Sequence, residues 1–141
     1  MLAGAMIALF IACNNRGAAD TSKIAEDTVQ TDSTAAPVIT FENTTYDFGS
    51  VNDGEKVSYA FKFKNTGKSP LIISNAIASC GCTVPDYPRT PIVPGGEGVI
   101  SVVFDSTGKP GKQSKTITLT SNTLPPTTDL YLTGEVKQAN K

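Results

Sequence analysis

Two cysteines one residue apart, Cys80-Gly81-Cys82, are the most chemically capable group in this sequence. In an extended strand alternate Cβ atoms lie roughly 7 Å apart, whereas a disulfide brings its Cβ atoms to about 3.8 Å. Bridging therefore requires a kink, and Gly81 supplies the backbone freedom for one. Three chemistries fit the spacing. The pair can be a structural disulfide or two buried small residues, as suits an oxidising destination. It can be a redox couple, because a bridge across one residue closes a small ring and an exposed one exchanges readily. It can also hold a soft metal: two thiolates suffice for Cu(I), whereas a four-coordinate zinc site would need carboxylates or a second molecule to complete it.

The rest of the composition removes most catalytic templates. The chain has no histidine, so histidine-based triads and imidazole metal sites are excluded. Met1 and Met6 fall in the N-terminal apolar run, which removes thioether copper sites from a processed chain. Asp47, Asp53, Asp86, Glu97, Asp105, Asp129 and Glu135 sit in or beside expected turns, where carboxylates are solvated or cap backbone amides. Pro94-Gly95-Gly96-Glu97-Gly98 lacks the Lys and Ser/Thr of a phosphate-binding loop and opens no helix. No nucleophile with an adjacent base can be assembled. The reading is a non-enzyme that needs no cofactor. Lys and Arg number 12 against 13 Asp and Glu, a net charge of -1, so no single-signed field attracts nucleic acid.

Beside the cysteines runs PDYPRTPIVPGG, residues 85–96, a stiff segment with one aromatic and one basic group. Tyr87 and Arg89 are the candidate partner-binding residues, the alternative being a rigid crossover between two sheets. An unpaired edge strand is a further way for a tethered domain to bind.

Residues 1–12 are uncharged and apolar and stop at Cys13-Asn14-Asn15-Arg16, the pattern of a signal peptide. As a helix they would reach roughly 18 Å, short of a hydrocarbon core of about 30 Å. Leu9-Phe10-Ile11-Ala12-Cys13 resembles a lipobox with Phe10 in the usual place of Leu. Cys13 is thus the expected lipidation site, carrying palmitate-type acyl chains as the membrane anchor. Residues 13–36 then read as the lipidated N-terminus and a flexible linker, with a root-mean-square reach of roughly 25 Å. Asp27-Thr28-Val29 and Asp32-Ser33-Thr34 resemble the O-glycosylation acceptor pattern of Bacteroidetes, which makes Thr28 and Ser33 candidate glycosylation sites. A plain solvated linker is the alternative.

From Pro37 the texture changes to short alternating runs. Val57, Tyr59, Phe61 and Phe63 share one face of a strand whose other face carries Ser58, Lys62 and Lys64. Asn52-Asp53-Gly54-Glu55 precedes it as a tight turn, and Asn65-Thr66-Gly67-Lys68 follows with a glycine suited to positive φ. Further strands are expected at 39–41, 46–48, 71–78, 99–104, 116–120 and 130–133, separated by Pro94-Gly95-Gly96, Pro110-Gly111 and Pro125-Pro126. About seven strands at this spacing predict an all-β, immunoglobulin-like Greek-key sandwich over residues 37–137, with a tail at 138–141. A small closed barrel is the alternative. The absence of tryptophan excludes only an antibody-type core.

Thr45-Tyr46-Asp47-Phe48-Gly49-Ser50-Val51, the Phe61 to Gly67 strand and turn, Ser79-Cys80-Gly81-Cys82-Thr83 and Ile92-Val93-Pro94-Gly95-Gly96-Glu97 together resemble the bacterial domain-of-unknown-function family numbered 1573. The resemblance spans residues 38 to 137. It implies a Hydin-like or major-sperm-protein-like immunoglobulin fold and an exported protein, with no established activity. The expectation is an exported, lipid-anchored, non-catalytic binding module of the cell envelope with a membrane, an envelope protein or a glycan as partner. The alternative is a thiol-dependent redox or Cu(I)-binding protein.

Overall fold

The computed structural model describes residues 35–138. Cys13, Thr28 and Ser33, with the expected signal peptide and most of the linker, lie outside them. The described chain forms eight strands in two four-stranded sheets: β1 (Ile39–Phe41), β2 (Thr45–Asn52), β3 (Lys56–Asn65), β4 (Ile73–Ala78), β5 (Thr83–Asp86), β6 (Glu97–Asp105), β7 (Gly111–Ser121) and β8 (Thr127–Lys137). One sheet has the order β1-β3-β6-β5, the other β2-β8-β7-β4. The sheets are open and stacked, so the architecture is the immunoglobulin-like sandwich and not a closed barrel.

Alternation builds the core. Val57, Phe61 and Phe63 of β3, Ile100, Val102 and Phe104 of β6, Ile117 and Leu119 of β7 and Leu130, Leu132 and Val136 of β8 point between the sheets and are buried. Their strand neighbours Ser58, Lys62, Val103, Thr118 and Asp129 face outward. The N-terminal strand divides itself between the sheets: β1 pairs antiparallel with β3, and after Glu42 to Thr44 the chain crosses over so that β2 lies parallel to β8. Where β2 crosses, Tyr46 stacks on Tyr59 of β3, with ring centroids 3.7 Å apart.

Three expectations need correction. There are eight strands, not about seven, because β5 lies in the stretch that its prolines mark as loop. Leu71 stands ahead of β4, joined to Ile92 by a bridge of two 2.8 Å hydrogen bonds. Gly67 does not take a positive φ. Its backbone instead lies against Ala36, Pro37 and Val38, where any Cβ would collide.

The strand directions define two poles. At one, Val38, the Asn65 to Pro70 turn, Val93 to Gly96 and Asn122 to Pro126 come together. At the other lie the Asn52 to Glu55 turn, Cys80 to Cys82, Ser106 to Pro110 and the end of β8. The ten residues of β3 separate them by roughly 30 Å.

Candidate functional site

The cysteine pair forms the crossover between the sheets. β4 ends at Ala78, and Ser79 continues its ladder for one bond, donating its N–H to the Thr116 carbonyl at 2.8 Å. The chain then turns through Cys80, Gly81 and Cys82. Thr83 donates back to the Cys80 carbonyl at 3.3 Å, and Asp105 of β6 donates to the Cys82 carbonyl at 2.8 Å. This turn brings the Cα atoms of Cys80 and Cys82 to 5.3 Å, and the two sulfurs are joined as a disulfide. Gly81 is exposed at its tip, while Cys82 packs against the core. The kink that bridging requires is therefore present. A joined pair has no thiolate to offer a metal. Among the described residues no group of three or more Cys, Asp or Glu is placed to hold an ion.

The structure places Tyr87 differently from an exposed contact group. It is 9% exposed, and its hydroxyl donates to the Ser74 carbonyl at 2.9 Å. Arg89 lies over the ring, 3.9 Å from its centroid, and donates to the Tyr87 hydroxyl at 2.8 Å. Tyr87 is thus a core plug with Arg89 as its outer cover. Ile92 is also buried, so segment 85–96 is a fastened connection between β5 and β6 of one sheet and not a crossover between the two, with Asp86, Arg89 to Pro91 and Val93 to Gly95 turned outward.

Two buried polar residues that the sequence reading did not single out organise the poles. Asn65, fully buried, donates from Nδ2 to the carbonyls of Ser69 at 2.8 Å and Ile92 at 2.9 Å. Its Oδ1 accepts from the amides of Gly67 at 3.0 Å and Val38 at 3.4 Å. Ser106, also fully buried, donates to the Asn52 carbonyl at 3.0 Å at the opposite pole. A polar residue at the inward position that ends an apolar alternation, Asn65 after Phe63 and Ser106 after Phe104, was their only signal, because such a position should have been apolar.

Three of the sheet edges, β5, β4 and β2, are defended. On β5, Asp105 donates to Cys82 and Thr83 bonds to Cys80, which fixes the alternation so that Val84 and Asp86 face β6 and Pro85 occupies the outer edge, where it has no N–H to offer. On β4 the outward carbonyl of Ser74 is taken by Tyr87, and the amide of Ala76 by Oδ1 of Asn75 at 2.9 Å. On β2 a bulge follows Asp47, whose carboxylate accepts from Gly49 at 2.8 Å. A shallow groove of about 540 Å³ beside β1 is rimmed by Glu42, Lys62, Lys64 and Glu97, so neither sign of ligand is favoured.

A family model described as "Protein of unknown function (DUF1573)" matches residues 39–136, from β1 to the end of β8. The chain belongs to this family. None of the curated proteins matches it in sequence. Among solved structures it is similar to a protein of unknown function from Porphyromonas gingivalis W83, with 20% identity, TM-score 0.64, and coverage of 77% of this chain and 51% of that one. This chain therefore spans about half the length of the Porphyromonas protein. It is also similar to an ASH/PapD-like domain of human CEP192, with 14% identity, TM-score 0.59 and coverage of 75% and 89%. A secreted serine protease from Vibrio cholerae, VesC, shares the fold over 24% of its chain, at 12% identity, 75% coverage of this chain and TM-score 0.52. At these identities the likeness shows the fold alone, an immunoglobulin-like sandwich of the PapD/ASH kind. The DUF1573 domain of this chain is a module of unknown function with that fold.

Proposed function

We propose that this DUF1573 chain is an exported, non-catalytic interaction module of the cell envelope, anchored by lipid on Cys13 and presenting its Cys80–Cys82 pole to an envelope protein or glycan. The observation that carries the reading is polar separation. The described chain begins beside Val38 and Asn65, at the pole opposite the disulfide turn. A linker attached there leaves the cysteine turn, roughly 30 Å away, facing outward from a membrane. The composition supports a binding role, since no histidine is available for the common nucleophile and base pairs.

Mass spectrometry of the native protein from its own envelope tests the anchor. A lipid-modified N-terminal peptide beginning at Cys13 is expected, and an unmodified Met1 overturns it. Sugar mass on Thr28 or Ser33 would mark the linker as glycosylated. Photo-crosslinkers placed at Gly81 and at Val93 test the presented pole: partner adducts are expected from the Gly81 position, and adducts from Val93 alone sink the reading.

A thiol-redox role is the second reading, favoured by the exposed turn that carries the bridge. Thiol alkylation before lysis decides it. Labelling of Cys80 and Cys82 in intact cells supports exchange, and absence of labelling leaves a structural disulfide. Cu(I) binding would need prior two-electron reduction of the bridge to free both thiolates.

A further inference from the structure

We propose that the unpaired half of the β3 edge, Lys56 to Ala60, accepts an extended segment of a partner protein as an added antiparallel strand, with an acidic residue opposite Lys56 and apolar residues toward the Tyr46–Tyr59 pair. This rests on the interaction reading and adds to the cysteine pole a second contact surface on the flank of the sandwich.

The hydrogen-bond pattern locates the edge. Ser106 donates to the Glu55 carbonyl at 3.1 Å and Asn65 to the Gly96 carbonyl at 2.9 Å, bracketing the β3–β6 ladder. By antiparallel alternation Val57, Tyr59, Phe61 and Phe63 exchange bonds with β6, and Lys56, Ser58, Ala60, Lys62 and Lys64 aim their amides and carbonyls the other way. β1 meets only the far end of that row, from Asn65 to Phe63. Its line ends where Glu42 donates to the Lys62 carbonyl at 3.0 Å, after which the chain leaves for the second sheet. Among the described residues, the backbone groups of Lys56, Ser58 and Ala60 have no protein partner on that side. All three residues are exposed.

The contrast with the other edges gives this weight. Pro85 silences β5, Asn75 and Tyr87 occupy β4, and the Asp47–Gly49 bulge interrupts β2. Natural sheets manage long edges in these ways, and this half-edge has only its flanking lysines.

Those lysines choose the occupant. A second copy that pairs the free stretch with itself sets Lys56 against the other copy's Ala60 and Ser58 against Ser58, which leaves Lys56 without an opposite charge, whereas an acid directly across from it is favourable. The chain's own continuation shows the favourable alternative, because Glu42 lies across from Lys62. The next outward positions along that line face Ala60, Ser58 and Lys56 in turn, so an acid suits the last. Lys56 is 68% exposed beside Asp105, 3.8 Å away, and can reach both carboxylates. Inward-facing residues of the added strand meet the half-buried Tyr46–Tyr59 stack, which favours apolar side chains.

The probe is the acetylated, amidated peptide Thr-Val-Thr-Val-Glu, added to the isotope-labelled full chain. At about ten times its Kd, the amides of Ser58 and Ala60 should exchange with solvent about tenfold more slowly. Ser58→Pro should abolish the effect, since Pro removes an amide that the fold does not use, as Pro85 does on β5. If that variant fails to fold, Lys56→Glu serves, and should reverse the preference toward the same peptide ending in Lys. No slowing at millimolar peptide overturns the proposal, as does equal binding of Glu-ended and Lys-ended peptides. The lipid on Cys13 and the crosslinks at Gly81 are read separately, so failure here leaves those results to stand on their own.

Discussion

The Tyr87 hydroxyl donates to the Ser74 carbonyl across 2.9 Å, and this bond fastens the segment after β5 in one sheet to the edge strand β4 of the other. It closes the flank of the sandwich and also removes an acceptor from an otherwise open edge.

Tyr87→Phe keeps the ring and removes the bonds to Ser74 and Arg89. Because the Ser74 carbonyl can turn to water, the cost should be about 1 kcal/mol in urea denaturation. Tyr87→Ala empties part of the core and should cost about 3 kcal/mol. Arg89→Ala should cost less than either. If Tyr87→Phe leaves stability unchanged yet abolishes partner binding, the ring is a contact surface and its structural role is refuted.

Asn65 should be as sensitive to truncation as Tyr87. Its four hydrogen bonds join the start of β1, the turn at Gly67, Ser69 and the Ile92 segment between β5 and β6. Asn65→Ala leaves buried carbonyls and amides unpaired and should cost about 3 kcal/mol by thermal or urea unfolding. Asn65→Asp can accept from Gly67 but cannot donate to Ser69 or Ile92, so it should not rescue the loss. A cost below about 1 kcal/mol for either variant would show that water replaces the network.

These two residues also mark where the sequence is readable and where it is not. The fold class, the core face of β3 and the positions of most strands along the chain follow from period-two alternation, a local property. β5 escapes it because Pro85 contradicts a strand unless that residue happens to face an outer edge, which only the tertiary pairing decides. The same limit applies to Tyr87: beside prolines and Arg89 it reads as a surface aromatic, and only the carbonyl of Ser74, thirteen residues earlier, reveals the plug. The disulfide turn was legible as one of three options, since a kink at Gly81 depends on Ser79, Thr83 and Asp105 bonding across two sheets. For Cys13, Thr28 and Ser33 the sequence patterns remain the basis of the reading.

Acid should loosen the cysteine pole first. Glu55 is held below its ordinary value of 4.5 by the Asn52 amide and then by the Asn52 side chain. Asp105 is held below 3.8 by the Thr107 hydroxyl, then the Thr107 amide, with Lys56 adding to the shift. Lowered folded pKa values mean that the unfolded chain binds more protons, so stability rises with pH across this range. The contribution is present above the ordinary values and is lost as pH falls through the folded ones. Both groups are solvent-facing, so the effect is small and screened by salt. The urea midpoint followed from about pH 5 to pH 2 should fall less steeply in Glu55→Gln with Asp105→Asn. An unchanged slope would mean that other carboxylates carry the acid sensitivity.

Glycines should divide by what surrounds them. A Cβ on Gly98 would strike the ring of Phe63, which is 2% exposed and packed against Phe41 at 5.5 Å, and one on Gly134 would strike the ring of Phe48. Each ring would have to shift to admit the added methyl, so Gly98→Ala and Gly134→Ala should each cost about 1–3 kcal/mol. Gly81 is the instructive contrast. Its place between two cysteines suggests that backbone freedom is what the turn needs, yet it is not among the positive-φ glycines and nothing lies within 4 Å of a Cβ built on it. Gly81→Ala should therefore fold with its bridge intact and with stability unchanged or raised by about 0.4–1 kcal/mol through a less flexible unfolded chain. Non-reducing peptide mapping checks the bridge and urea denaturation the stability. Loss of the Cys80–Cys82 link in that variant would return the turn's requirement to the glycine itself, and preservation would assign it to the hydrogen bonds from Thr83 and Asp105 that hold the crossover.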